Sequence, residues 1–119
     1  MQQRFETLGF RVHLIEEEGV WVATARRADT GATFGPPVPG DRPDEAAELL
    51  ARWLEWQHTH TTLLSALQSA QSEYHRVAGS HFALANAAEQ RAARHAALVQ
   101  LDDVRRQLDL VREQRPWPH

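Results

Sequence analysis

An apolar repeat with seven-residue spacing runs through the middle of the chain and constrains its fold more than any other feature. The steps between its members alternate between three and four residues, which places the side chains on one stripe of a helix. We call this stripe the seam; it comprises Leu49, Trp53, Trp56, His60, Leu63, Leu67, Ala70, Tyr74, Val77, His81, Leu84 and Ala88. Another helix is the natural cover for so long and narrow a surface, so the sequence predicts self-association through the seam. The predicted oligomer interface consists of Leu49, Trp53, Trp56, His60, Leu63, Leu67, Tyr74, Val77, His81 and Leu84.

The predicted helix begins after a proline-rich segment and has one strong candidate for a break. Asp41 is expected to cap it and Pro43 suits its first turn, after which no proline occurs until position 116. Gly79 followed by a serine favours a turn and a hairpin of two antiparallel helices of about 35 residues each. The phase of the seam continues through Gly79, which instead favours one rod of about 70 residues that dimerises. Both architectures remain open at this stage.

Residues 10–36 have the pattern of a β-meander. Apolar Phe10, Val12 and Leu14 alternate with polar residues, as expected for a strand with one covered face. An acidic turn leads to a second strand at 20–25, and a turn at 29–31 leads to a short third strand at 32–34 that the segment GPPVPG is expected to stop. The predicted fold class is α+β: a small three-stranded antiparallel meander followed by long helices in a hairpin or coiled coil. Residues 1–57 are expected to form the meander with the start of the helix, and 58–119 an oligomerisation segment with a Pro-Trp-Pro tail.

Composition restricts the chemistry and the partners. Cysteine is absent, which excludes disulfides and thiolate sites. All 13 basic residues are arginine, yet the net charge of -3 does not favour non-specific nucleic-acid binding. No apolar run approaches the roughly 20 residues that span a bilayer, and the first residues lack the pattern of a secretory signal. We therefore expect a cytoplasmic protein that does not use a membrane.

The first half of the chain resembles a known unit in the order of its elements. The segment FRVHLIEEEGVWVA (10–23) contains a strand, an acidic turn with glycine and a second strand with an aromatic near its start. The segment PGDRPDEA (39–46) places a glycine before a helix that opens on an acidic pair followed by alanine. In this order, residues 10–57 resemble the N-terminal unit of HicB-type antitoxins, although no helix-turn-helix or ribbon-helix-helix pattern follows. The resemblance implies binding of a small toxin or RNA-acting partner on the sheet face.

The sequence contains no pattern typical of catalysis, a cofactor site or a metal site. His58 and His60 are two residues apart and diverge around a helix, which does not suit a shared metal ion. The seam histidines His60 and His81 suit either a neutral register-setting position or a pH-sensitive interface.

The residues predicted to bind a partner are two tryptophans and two arginines, namely Trp21, Arg26, Arg27 and Trp117. Trp21 is expected either in the core or exposed beside the arginines, and Trp117 either in a partner pocket or at a frayed end. The predicted function is that of a non-enzymatic protein-protein interaction module that self-associates as a homodimer or higher oligomer. It would present its sheet face and tail to a protein partner. The alternative is a nucleic-acid-associated regulator that uses Trp21 and the nearby arginines.

Overall fold

The computed structural model describes residues 2–79 and 87–118 and has the predicted α+β architecture. Its elements follow in the order α1 (Gln2–Thr7), β1 (Phe10–Glu17), β2 (Val20–Arg27), β3 (Thr33–Gly40), α2 (Pro43–Gly79) and α3 (Ala87–Glu113). The chain forms two compact units, which we call unit 1 and unit 2. Unit 1 extends to His58 and includes the tail from Arg115, and unit 2 extends from Thr59 to Gln114. No described helix combines the length and the apolar character that crossing a membrane requires.

The sheet of unit 1 has the strand order β1-β2-β3, with antiparallel pairing throughout. Glu18 and Gly19 form the turn between β1 and β2, with φ angles of 53° and 81°. Two positive φ values are typical of the type I′ turn, whose twist matches that of the flanking strands. The turn sets the register, in which Glu17 lies opposite Val20 and Phe10 lies opposite Arg27.

The third strand is longer than the sequence predicts. We expected it to end at the proline-rich segment, but β3 continues through Pro36, Pro37 and Pro39 to Gly40. The prediction was wrong for two reasons. Pro39 lies on an edge strand, where a missing N–H group on the solvent side removes no ladder hydrogen bond, and Pro36 and Pro37 lie between the paired residues Phe34 and Val38 with no partner in β2. A register shift in β2 between Ala23 and Ala25 accompanies this segment.

The core of unit 1 lies between the sheet and the first turns of α2. Ala23 and Ala25 of β2 are fully buried, as is Leu50 of α2. Small side chains on both elements allow a helix to approach a sheet closely. Helix α1, which no sequence pattern indicated, adds the fully buried ring of Phe5. The core therefore recruits a segment from the start of the chain that lacks the length for a clear periodic signal.

Helix α2 begins one residue later than its predicted cap implies. The N–H group of Ala46 donates to the carbonyl oxygen of Arg42 at 3.1 Å, which makes Arg42 rather than Asp41 the capping residue. Pro43 then occupies the first helical position, where its missing N–H group is harmless.

Unit 2 consists of two helical segments that pack as an antiparallel hairpin. The guanidinium group of Arg94 donates to the carbonyl oxygen of Ala78 at 3.4 Å, although the two residues are 16 positions apart. In one continuous helix this separation would be about 24 Å, so α2 and α3 are not parts of one straight helix and the rod is excluded. The buried residues of the hairpin are Ala70, Val77, Ala97, Leu101, Val104 and Leu108. His81 and Leu84 of the predicted interface lie outside the described residues.

Candidate functional site

The side of the sheet that faces away from the core is the main exposed surface of unit 1, and we call it the outer face. Because side chains alternate along a strand, this face carries every second residue of β1 and β2. These residues are Arg11, His13, Ile15 and Glu17 of β1, and Val20, Val22, Thr24 and Arg26 of β2. All four of the β1 residues are exposed. The two-residue turn thus fixes the hairpin register, and the register determines which residues of β1 and β2 are neighbours on the outer face.

One half of the outer face is apolar. Ile15 lies opposite Val22, and Val22 in turn lies opposite Pro39 of β3. Val20 is beside them at the end of β2. Ile15 is 49% exposed and Val20 is 40% exposed, whereas Val22 between them is half-buried. Adjacent exposed apolar side chains of this kind are typical of protein-binding surfaces.

The other half of the outer face is basic. Arg11 lies directly opposite Arg26, and Thr33 of β3 lies on the far side of Arg26. Side chains directly opposite in antiparallel strands have Cβ atoms about 5 Å apart, at which distance like charges repel. None of the ion pairs formed by the described residues includes Arg11 or Arg26. Within residues 2–79 and 87–118, the two arginines therefore face each other without an ion-paired carboxylate.

The structure separates the residues that were predicted to bind a partner together. Trp21 lies on the opposite side of the sheet from Arg26, because their positions differ by an odd number of residues. It is half-buried and packs against the core. Arg27 also lies on the core side, where its guanidinium carbon is 4.8 Å from the ring centre of Phe34 and 5.7 Å from that of Phe10. Of this group, Arg26 alone belongs to the outer face.

The tail packs on its own unit. Trp117 is half-buried against the core of unit 1, and the guanidinium carbon of Arg115 lies 5.6 Å from the ring centre of Trp56. Cation–π stacking of this kind contributes about 0.5 to 1 kcal/mol at exposed sites. The tail is consequently held by its own chain and is not a frayed end.

The seam is covered in part by contacts within the chain. In unit 1, Leu49 packs against the core and Trp53 is 7% exposed inside it. In unit 2, Val77 is also 7% exposed. The half-buried members are Leu49, Trp56, His60, Leu63, Leu67 and Tyr74. Trp53 and Val77 have little surface left for a second chain, and self-association through the remaining members stays a prediction.

The acidic groups near α1 and α2 form ion pairs that hold the helices. Arg4 donates to a carboxylate oxygen of Glu55 at 2.8 Å and also pairs with Glu48, which accepts a further hydrogen bond from Arg52 at 3.2 Å. Hydrogen bonding to Glu55 raises the pKa of Arg4 above its ordinary value, against a smaller opposing effect of burial. A groove beside these pairs is lined by Pro39, Gly40, Glu45, Glu48, Leu49 and Arg52. Because Arg4 and Arg52 already pair with Glu48, the carboxylate of Glu48 helps to hold α1 against α2.

Histidine and carboxylate side chains are the groups that could hold a metal ion in this cysteine-free chain. Within residues 2–79 and 87–118, no three such groups converge in the manner of metal ligands. The candidate site is the outer face, where paired arginines and exposed apolar side chains lie on one surface.

Sequence reasoning missed the pairing of Arg11 with Arg26, although a signal for it was present. Once Glu18 and Gly19 are assigned to a two-residue turn, each pair of facing residues in the hairpin follows by counting outward. The pairing of β3 with β2 had no comparable signal, because the proline-rich segment concealed the strand.

Comparison of the chain with protein-family models, with curated proteins and with solved structures gave no match.

Proposed function

We propose that this protein is a non-enzymatic protein-binding module that holds its partner on the outer face. The observation that carries the proposal is the Arg11–Arg26 pair, which takes part in no ion pair among the described residues and shares a face with exposed Ile15 and Val20 and half-buried Val22. A fitting partner presents carboxylates opposite the arginines and an apolar side chain opposite the cluster. Binding would replace the repulsion between the arginines with charge-assisted hydrogen bonds.

A protein partner fits this surface better than a nucleic acid does. Nucleic-acid interfaces are strongly basic, whereas the chain has a net charge of -3 and the outer face also carries Glu17. The side chains of the apolar cluster have no hydrogen-bond donor or positive charge that would bind a phosphate group. Trp21, which would have supplied base stacking, lies on the core side of the sheet.

The resemblance to HicB-type antitoxins implies a partner on the sheet face, which is also where this proposal places the partner. Such a role would place a small toxin or RNA-acting protein on the sheet face, and the outer face is the exposed side of that sheet. The Trp117 tail is not included in the proposed surface, because its ring already packs on the core of unit 1.

The experiment is a nuclease-treated pull-down from the source organism with three forms of the chain, followed by mass spectrometry. The forms are the wild type, Arg26→Glu and the control Arg106→Glu, which reverses an exposed charge on α3. Arg26→Glu places a carboxylate opposite Arg11, so it removes a repulsion and is expected to fold at least as stably as the wild type. A protein captured by the wild type and the control but lost with Arg26→Glu supports the proposal.

Equal capture by all three forms contradicts it. Binding of the purified chain to nucleic acid, with an affinity that falls steeply as salt increases and is lost in Arg26→Glu, would favour the nucleic-acid alternative instead.

A further inference from the structure

The sheet has two edges that differ in their capacity to pair with another strand. The β3 edge carries Pro36, Pro37 and Pro39, which lack N–H donors. The β1 edge has eight residues without proline, and within the described residues β1 pairs with β2 alone. An unblocked edge of this length is a ready template for another strand. Among the two edges, β1 is therefore the one that can accept a further chain.

The turn determines which backbone groups of β1 point outward. A two-residue turn is closed by a pair that exchanges both hydrogen bonds, here Glu17 with Val20, and such pairs then recur at every second position. The odd-numbered residues of β1 thus direct their N–H and C=O groups to β2. Val12, Leu14 and Glu16 direct theirs to the free edge, where they form a row of donors and acceptors for another strand.

The charges of β1 are complementary to those of a second β1 in antiparallel orientation. Arg11 stands at one end of the strand and Glu17 at the other, on the same side of the sheet. A second copy centred on Leu14 brings Arg11 opposite Glu17 of the partner subunit, and the two-fold axis repeats this contact. The same alignment places Val12, Leu14 and Glu16 opposite outward-facing residues of the second strand, which is the condition for a regular ladder of about six hydrogen bonds. No ion pair of the described residues engages Arg11 or Glu17 within the chain.

The apolar residues along this edge support the same alignment. Leu14 lies on the core side of the sheet, opposite fully buried Ala23, yet it is 37% exposed because its strand is at the edge. Pairing on the axis sets Leu14 against Leu14 of the partner subunit and extends both cores across the junction. Exposed Ile15 lies opposite His13 of the partner subunit, so both faces of the new ladder bury apolar surface.

We propose that two copies of this protein associate through antiparallel pairing of their β1 edges, centred on Leu14, to form a continuous six-stranded sheet. The interface uses backbone hydrogen bonds and the reciprocal Arg11–Glu17 contacts. It differs from the helical seam as a route to self-association. It also uses part of the outer face, because Arg11 contacts Glu17 of the partner subunit there and Ile15 is partly covered, while Arg26, Val20 and Val22 stay available to the proposed partner.

Charge reversal with rescue tests the contacts in the full-length chain. Sedimentation equilibrium should show a reversible dimer for the wild type, and Arg11→Glu or Glu17→Arg should each weaken it by about tenfold or more, since like charges then face each other twice. The double variant Arg11→Glu/Glu17→Arg should recover most of the affinity. Far-UV circular dichroism confirms that each variant is folded. A wild type that is monomeric throughout, or single variants that dimerise as strongly as the wild type, would overturn the proposal.

Cross-linking tests the register directly, because the chain contains no cysteine. Leu14→Cys places two thiols on the symmetry axis, with Cα atoms about 5.5 Å apart, within the range of a disulfide. The control Glu16→Cys places them about 14 Å apart, beyond that range. Oxidation should therefore yield a covalent dimer with Leu14→Cys at least tenfold faster than with Glu16→Cys. Equal rates, or faster cross-linking at position 16, would contradict the alignment even if the protein dimerises and captures its partner normally.

Discussion

Replacing Gly35 with alanine should destabilise unit 1 through a collision with the ring of Trp53. Gly35 has a φ of +76°, and a Cβ atom at this position would lie 2.6 Å from Cζ3 of Trp53. Trp53 is 7% exposed, so its ring has little room to move. A left-handed φ costs a residue with a Cβ about 1 to 2 kcal/mol, and overpacking of a core costs about 1 to 3 kcal/mol. Alanine also reduces the conformational entropy of the unfolded chain, which offsets about 0.4 to 1 kcal/mol of this cost. We expect Gly35→Ala to lower the free energy of unfolding by about 2 to 4 kcal/mol.

Gly31 provides a matched control. Its φ of +74° is nearly the same, and an added Cβ would meet no atom within 4 Å. Gly31→Ala therefore carries the backbone strain without the collision, and we expect it to cost about 1 kcal/mol. The difference between the two variants measures the contact with Trp53.

Urea unfolding followed by tryptophan fluorescence is the appropriate assay, since all four tryptophans lie in unit 1. The double variant Gly35→Ala/Trp53→Phe should be more stable, by at least about 1 kcal/mol, than the sum of the two single losses implies. The reason is that the smaller phenylalanine ring leaves space for the new methyl group. Equal losses for Gly35→Ala and Gly31→Ala, or strict additivity with Trp53→Phe, would refute the packing argument.

Three further predictions concern stability and ionisation. Arg4→Met should lower the free energy of unfolding of unit 1 by about 0.5 kcal/mol in urea titrations, and high salt should shrink the difference, because Arg4 is 38% exposed and its ion pairs are screened. Leu101→Ala should cost about 2 to 5 kcal/mol in the helical transition followed by circular dichroism, whereas Leu98→Ala should change little, since Leu101 is 4% exposed and Leu98 is 41% exposed. NMR titration should give Glu73 a pKa below the ordinary 4.5, because Arg76 donates hydrogen bonds to its carboxylate, and Arg76→Gln should restore it. Since the folded-state pKa is the lower one, the pair stabilises the fold above pH 4.5 and loses that effect as the pH falls through the folded value; an unshifted pKa would show that the contact is not maintained in solution.

The candidate site was only partly predictable. Arg26 was predicted to bind a partner and lies on the outer face, whereas Trp21 and Arg27 lie on the core side. Odd and even positions of β2 lie on opposite sides of the sheet, so the sequence separates Trp21 from Val20 and Val22. It does not identify which side a helix will cover. That choice depends on α2, whose contacts with the sheet are far apart in sequence. The exposure of Ile15 and the absence of Arg11 from the ion pairs of the described residues likewise emerge only from the assembled sheet.

The sequence by itself determined the spacing of apolar residues within strands and helices and the positions of the turns. Alternation in β1, the turn at Glu18 and Gly19 and the heptad spacing of the seam each reflect backbone geometry over a few residues, which is why β1, β2, the turn between them and a long helix after the prolines were predicted correctly. Tertiary structure decided what covers each apolar surface. The core of unit 1 buries Trp53 and the helical hairpin of unit 2 buries Val77, although the same periodicity is equally compatible with a second chain. It also decided that the prolines of β3 are tolerated, since an edge position is a property of the sheet and not of the strand. Periodicity specifies the shape of an apolar surface, and only the competition among distant segments of the folded chain specifies its neighbour.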